Sequence, residues 1–223
     1  MKQYFLSTLF RKMLAGVTGL FLVTFLLGHL FGNLQLILLT GEVAKQKFNA
    51  YALFMTTNPA VKLLSYITYS AIILHTLLTV GLALKARKAR PIAYEVSSGN
   101  KNSSWSSKNM ALLGTLILLF LVVHLRSFWY EMHFGSIPFD AWGNKDLYTV
   151  TVSAFKESWY TIFYIISMIV LGFHLKHGIE SGFQTIGLKN KKFAKLIKLG
   201  SLTLSIFISF SFASIPIIIY FRS

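Results

Sequence analysis

The chain has 223 residues, of which 54% are hydrophobic and only 13% charged, with a mean hydropathy of +0.60. Soluble domains of this size carry about a quarter charged residues, so the composition excludes an ordinary soluble fold, and the absence of cysteine excludes disulfides, thiolate metal sites and cysteine-ligated iron–sulfur clusters. The net charge of +15 is assigned to loops kept on the cytoplasmic face of a membrane, because no nucleic-acid-binding pattern accompanies it.

Five apolar segments, at about 13–39, 61–84, 110–132, 158–182 and 196–220, each reach the ~20 residues a helix needs to cross a bilayer. The chain therefore reads as an all-α integral membrane protein, one five-helix transmembrane domain over residues 1–223. Lys2, Arg11 and Lys12 precede the first segment as in a signal peptide. The run from Met13 to Leu39 is too long for such a leader and lacks its small-residue cleavage pattern, so it reads as a retained helix. The connections, 40–60, 85–109, 133–157 and 183–195, collect the breakers: Asn58-Pro59, Arg90-Pro91, a Ser/Asn-rich stretch at 97–109 and Ile137-Pro138.

Direction follows from the basic residues. Lys2, Arg11, Lys12, Lys85, Arg87, Lys88, Arg90, Lys101, Lys108, Lys189, Lys191, Lys192, Lys195 and Lys198 fall on one side of a five-span topology, 14 of the 22 lysines and arginines. Opposite them, Lys45, Lys47, Lys62, Lys145 and Lys156 are diluted by Glu42, Asp140, Asp146 and Glu157. The lysine-rich side is expected to be cytoplasmic, with the N-terminus inside and the C-terminus outside.

Each of the first four segments carries one histidine near its middle: His29, His75, His124 and His174. An ionisable ring at membrane depth is costly and marks function. A neutral imidazole is a common axial ligand of haem iron, and four suffice for two bis-histidine haems. His29 and His124 lie past the centres of outward-running helices, roughly 5 Å toward the outer face. His75 and His174 lie past the centres of inward-running ones. The four therefore sort by depth into an outer pair, His29 with His124, and an inner pair, His75 with His174.

Gly28 and Gly32 flank His29, Gly81 follows His75, and Gly172 and Gly178 bracket His174; cofactor access and ordinary close helix packing account for them equally. His133, half a turn out of phase with His124, reads as interfacial. His177 shares a face with His174 and is the alternative ligand, or a contact for a haem propionate or quinone. Arg11, Arg126 and Lys176 are candidate propionate partners, with snorkelling to the headgroups as the competing explanation. Tyr51, Trp129 and Glu131 are candidate polar groups near the outer pair, although an aromatic belt explains the Trp and Tyr as well.

This arrangement resembles the di-haem cytochrome b anchor of bacterial succinate:quinone oxidoreductases. The resemblance lies in the one-histidine-per-helix pattern, in Phe10-Arg11-Lys12 before the first span, in Gly28-His29-Leu30, Leu74-His75-Thr76 and Val123-His124-Leu125, and most specifically in Phe173–Gly187. There the family's fourth-helix ligand is followed by glycine four and thirteen positions on; Gly178 and Gly187 satisfy this for His174 and not for His177. The resemblance implies a multi-pass subunit of a bacterial cytoplasmic membrane that is no enzyme on its own. It further implies two haems b, docking of an iron–sulfur subunit and a flavoprotein on the cytoplasmic side, and electron passage through the inner and then the outer haem to a quinone, typically menaquinone. Fumarate-reducing relatives that move protons along the fourth helix carry glutamate two residues before the ligand. Gly172 stands here, which favours succinate oxidation. The cytochrome bc type, with two ligands on one helix, is disfavoured. The anchors of other quinone-linked dehydrogenases or of fumarate reductase, and a haem-free histidine-relay transporter, stay as alternatives.

Overall fold

The structure, a computed structural model, describes residues 7–89 and 104–222. Lys2, Arg90, Pro91, Lys101 and the start of the Ser/Asn-rich stretch lie outside them. Among the described residues the chain is helical apart from one isolated antiparallel bridge between Phe139 and Lys145. Helix α1 (Thr8–Asn33) resumes after Leu34 as the short α2 (Gln35–Leu38). Helices α3 (Gly41–Thr57), α4 (Pro59–Lys88) and α5 (Trp105–Lys108) follow. Helix α6 (Met110–His124) passes through a π-helical turn at Leu125–Tyr130 into α7 (Glu131–Phe134); α8 (Leu147–Lys156), α9 (Ser158–Thr185) and α10 (Ala194–Arg222) complete the fold.

Five stretches are long and apolar enough to span a membrane: Thr8–Leu38, Pro59–Lys88, Met110–Phe134, Ser158–Thr185 and Ala194–Arg222. These are the five expected spans, with the first beginning earlier, so that Arg11 and Lys12 belong to the helix itself. Within their apolar windows only 6% to 28% of residues are buried inside the protein. Leu63, Leu77, Leu196 and Phe210 are each more than 60% exposed, a surface that water would not tolerate and that lipid covers. The chain is a multi-pass membrane protein by this measure.

Local sequence explains the helix ends. Ser7 Oγ accepts from Phe10 N at 3.1 Å to start α1. Asn58 caps α4 by accepting from Ala60 N and Val61 N, with Pro59 at the first helical position. Asp146 Oδ1 accepts from Thr149 N to start α8. Helix α9 stops at a Schellman turn: Gly187 adopts φ +82°, its N–H bonds Gln184 O, and Leu188 N bonds Phe183 O at 2.9 Å. The glycine thirteen places after His174 is thus explained by helix termination.

Helix α9 is the centre of the bundle, packing on α10, α1 and α6, while α4 leans chiefly on α1. Glycines set the α1–α9 crossing: a Cβ on Gly16 would lie 3.5 Å from Gly182 Cα, and one on Gly182 3.1 Å from Leu20 Cγ. Thr68 and Ser167 return their buried hydroxyls to carbonyls of their own helix, Leu64 O and Phe163 O, which satisfies them away from water. Lys85 Nζ donates to Thr8 Oγ1 at 2.6 Å, which places the start of α1 and the end of α4 at the same end of the bundle.

Two of the expected connections contain helices, α3 over most of 40–60 and α8 over the last part of 133–157. Together they cap the other end. Their junction is Asn49, fully buried: its Nδ2 donates to Asp140 Oδ2 and Asp146 Oδ1, both at 3.0 Å, and its Oδ1 accepts from Tyr148 N at 2.8 Å. Lys45 Nζ pairs with Asp146 Oδ2 at 2.8 Å. Burial alone would raise the Asp146 carboxyl, but the bonds from Lys45, Asn49 and Thr149 outweigh it and hold its pKa down to about 2. Asp140 is likewise held low, against burial, by Asn49 and the backbone of Asn144 and Trp142.

Candidate functional site

The four mid-span histidines occupy matched depths. His29 lies nine residues before the end of its span at Leu38, and His124 ten before Phe134. His75 lies thirteen before Lys88 and His174 eleven before Thr185, measured toward the opposite face.

His29 and His124 meet. Their ring centroids are 5.8 Å apart with planes at 88°. That separation brings both imidazoles within reach of one shared group between them. Aromatic rings enclose the pair: Phe25 and Phe212 beside His29, Phe120 and Phe128 beside His124. Tyr164 OH lies 3.0 Å from His124 Nδ1, and Tyr160 OH lies 3.2 Å from Tyr164 OH, both tyrosines being buried. If His124 Nδ1 donates to Tyr164, its Nε2 is left as a lone-pair donor, the second-shell device that orients ligating histidines. Asn33 Nδ2, one turn on, donates to His29 O at 2.8 Å and lies 3.5 Å from both His29 ring nitrogens.

The inner pair is supported differently. His75 Nδ1 lies 3.1 Å from Ala15 O and 3.3 Å from Thr18 Oγ1. The Thr18 hydroxyl gives its proton to Leu14 O at 2.8 Å and keeps its lone pairs. With the Nδ1 proton in place, the Ala15 carbonyl, the nearer acceptor, and Thr18 Oγ1 together fix the His75 ring and leave Nε2 as the lone-pair donor. Gly19 makes room: a Cβ there would lie 3.1 Å from His75 Cε1. His174 Nδ1 is buried with no hydrogen-bond partner, and Gly114 opens beside its ring, where a Cβ would lie 3.7 Å from Cε1. An orphaned buried nitrogen costs on the order of 1–3 kcal/mol unless something else satisfies it. Four imidazoles at two depths, with ring nitrogens of His75 and His124 held by second-shell acceptors and one of His174 unmet, form a donor set that suits axial ligation of haem. Among the described residues no group of three or more His, Cys, Asp or Glu converges as an ordinary metal site would require.

The remaining candidates divide. His177 is half-buried one turn beyond His174, and Lys176 beside it is exposed. Arg11 is half-buried one turn before Ala15. Arg126 turns away from the pair: it is ion-paired with Glu131, and its guanidinium sits 4.5 Å over the Tyr130 ring. It lies in the π-helical turn that begins directly after His124, a distortion frequent at functional sites. Trp129 Nε1 donates to Tyr69 OH at 2.8 Å, tying this turn to α4, and stacks on His133, which is exposed as expected of an interfacial residue. The Tyr51 ring lies over Gly32, where any Cβ would collide with it. Gly28 and Gly81 have nothing within 4 Å of a Cβ, so neither serves close helix packing. Gly172 sits against Ser209, and Gly178 against Met110.

Sequence reading missed Tyr164, Tyr160, Thr18, Gly19 and Gly114. The tyrosines carried a usable signal, two phenols four apart in an otherwise apolar span; the others are ordinary transmembrane residues until a partner helix brings a histidine to them. No family model, curated protein or solved structure matches the chain.

Proposed function

We propose that this chain is a di-haem cytochrome b, the membrane anchor and electron-transfer subunit of a succinate:quinone oxidoreductase in a bacterial cytoplasmic membrane. The observation that carries the haem reading is the approach of His29 and His124 to 5.8 Å at one depth inside an aromatic shell. The depth match of His75 and His174, and the unmet His174 nitrogen, support the second site. When bound, two haems b would supply a one-electron relay between a cytoplasmic iron–sulfur partner and a quinone, menaquinone by the resemblance. The residues of this chain do the rest. His29/His124 and His75/His174 would hold the two groups; Tyr164 and the Ala15 carbonyl would fix ring orientation, and the aromatic shell would exclude water from the outer pair. Arg11 and His177, at the inner end, are the nearer candidates for propionate contact. The lysine-rich face is the docking side for the iron–sulfur and flavoprotein subunits, and the N-terminus is cytoplasmic. The succinate reading rests on the Phe173–Gly187 pattern and on Gly172.

The test is a reduced-minus-oxidised visible spectrum and haem determination on the purified chain. Two haems b per chain are expected. Absence of haem overturns this reading and favours a histidine relay. Haem without co-purifying flavoprotein and iron–sulfur subunits assigns the chain to another quinone-linked enzyme.

A further inference from the structure

At the capped end of the bundle a cleft of about 460 Å³ opens where the first and fifth spans end beside α8. Its floor is apolar: Leu36 and Ile219, both buried, with Leu39 and Val152. Its rim carries two cations, Lys156 at the end of α8 and Arg222 at the end of α10. Neither has a hydrogen-bond or ion-pair partner among the described residues, whereas Lys45 and Lys145 at the same end are engaged, with Asp146 and with Met132 O. Thr40 and Gly41, the start of α3, complete the rim. Thr40 is the N-cap residue of that 17-residue helix, yet its side chain makes no capping bond. The first N–H groups of α3 therefore lack a side-chain cap where Thr40 and Gly41 line the cleft, and Glu42 of the first turn is not among the lining residues.

Each cation alone is explained by the helix C-terminus it completes or by snorkelling. Their meeting at one apolar cleft, beside an uncapped helix N-terminus, is not. Both side chains are exposed and partly screened by water, and an anion between them would offset their like charge together with the helix-end dipole. A hydrocarbon-lined floor at the membrane boundary calls for an acyl chain. We propose that this cleft binds one anionic phospholipid, its phosphate held by Lys156, Arg222 and the α3 N-terminus, with one acyl chain along Leu36, Leu39, Val152 and Ile219. The site is independent of haem. It places an anionic headgroup on the face where basic residues are scarce.

The test uses the full chain in nanodiscs that mix phosphatidylglycerol with phosphatidylcholine, reading the lipid retained on mild extraction by native mass spectrometry. One phosphatidylglycerol retained in preference to phosphatidylcholine is expected. K156Q or R222Q should lower that preference roughly fivefold and the double variant roughly thirtyfold. K62Q, which removes an exposed charge elsewhere, should leave it unchanged. Val152→Trp, filling the floor while keeping both charges, should also abolish retention, with thermal unfolding checking that the fold survives. An unchanged preference in the double variant overturns the proposal, as does an equal loss with K62Q. Displacement of the lipid by millimolar inorganic phosphate would identify a free-anion site and overturn the lipid assignment.

Discussion

The two halves of the bundle hold their histidines by different means. The half beneath the α3–α8 cap surrounds His29 and His124 with rings and a core of Leu30, Phe48, Phe155, Tyr160, Tyr164 and Ile215, part of it supplied by the cap helices themselves. The lysine-rich half has an aliphatic core of Met168, Leu171, Leu175, Ile179 and Ile208, and among the described residues neither His75 nor His174 meets an aromatic ring. There a backbone carbonyl and two glycines, Gly19 and Gly114, do the work. A histidine fixed by a carbonyl cannot be loosened by deleting a side chain, whereas one fixed by a phenol can. The capped half is therefore open to tuning by side-chain substitution, and the other half is sensitive mainly to crowding.

The largest expected effect breaks the halves apart. Replacing His29 or His124 with alanine should remove one of two haems and spare the other, and His75→Ala or His174→Ala should do the reverse, counted from the reduced spectrum. A variant that loses both, or His177→Ala losing the inner haem while His174→Ala keeps it, would refute the pairing. Crowding comes next. Gly19→Val pushes against His75 and should cost the inner haem, whereas Gly28→Val, with open space around it, should leave both.

The cap provides a stability test. Asn49→Ala leaves the Asp140 and Asp146 carboxylates and the Tyr148 N–H short of partners, which should destabilise the cap by about 2–4 kcal/mol, read as thermal unfolding or proteolysis within 135–157. Acid should act on the same network. Asp146 has a folded-state pKa of about 2, below its unfolded value. Its contribution is complete above the unfolded value and is lost as pH falls from about 4 through 2. Cap opening should therefore rise steeply over that interval, and Asp146→Asn should flatten the pH dependence.

The smallest effect sharpens the comparison most. Tyr164→Phe deletes the acceptor on His124 Nδ1; with the proton no longer shared, His124 becomes a weaker donor to oxidised iron. The outer potential should rise by on the order of 40 mV, the equivalent of a neutral hydrogen bond. The inner potential should not move. Thr18→Val, which leaves the Ala15 carbonyl in place, should shift the inner potential less.

Much of this was legible in the chain itself. Five spans, the break at Asn58-Pro59, and a mid-span histidine in each of the first four follow from contiguous residues, because solvent preference and backbone chemistry act over a few neighbouring positions. Gly187 also announced itself, although its role is to end a helix. The depth match followed from counting along helices of fixed rise. What escaped was whatever depends on partners far away in sequence. Nothing local marks Asn49, whose partners lie 91 to 99 positions away. The helicity of α3 and α8 was missed because their apolar face is matched to the bundle end and not to the bilayer.

The chain alone therefore determined that it crosses a membrane five times and which imidazoles sit at which level, since hydropathy and helical rise are properties of a segment taken by itself. Only the tertiary structure decided that His29 faces His124 within an aromatic shell, that a tyrosine orients one ring and a carbonyl another, and that a buried asparagine locks the cap. Those outcomes depend on side chains from separate helices filling a common space, which no single stretch of sequence specifies.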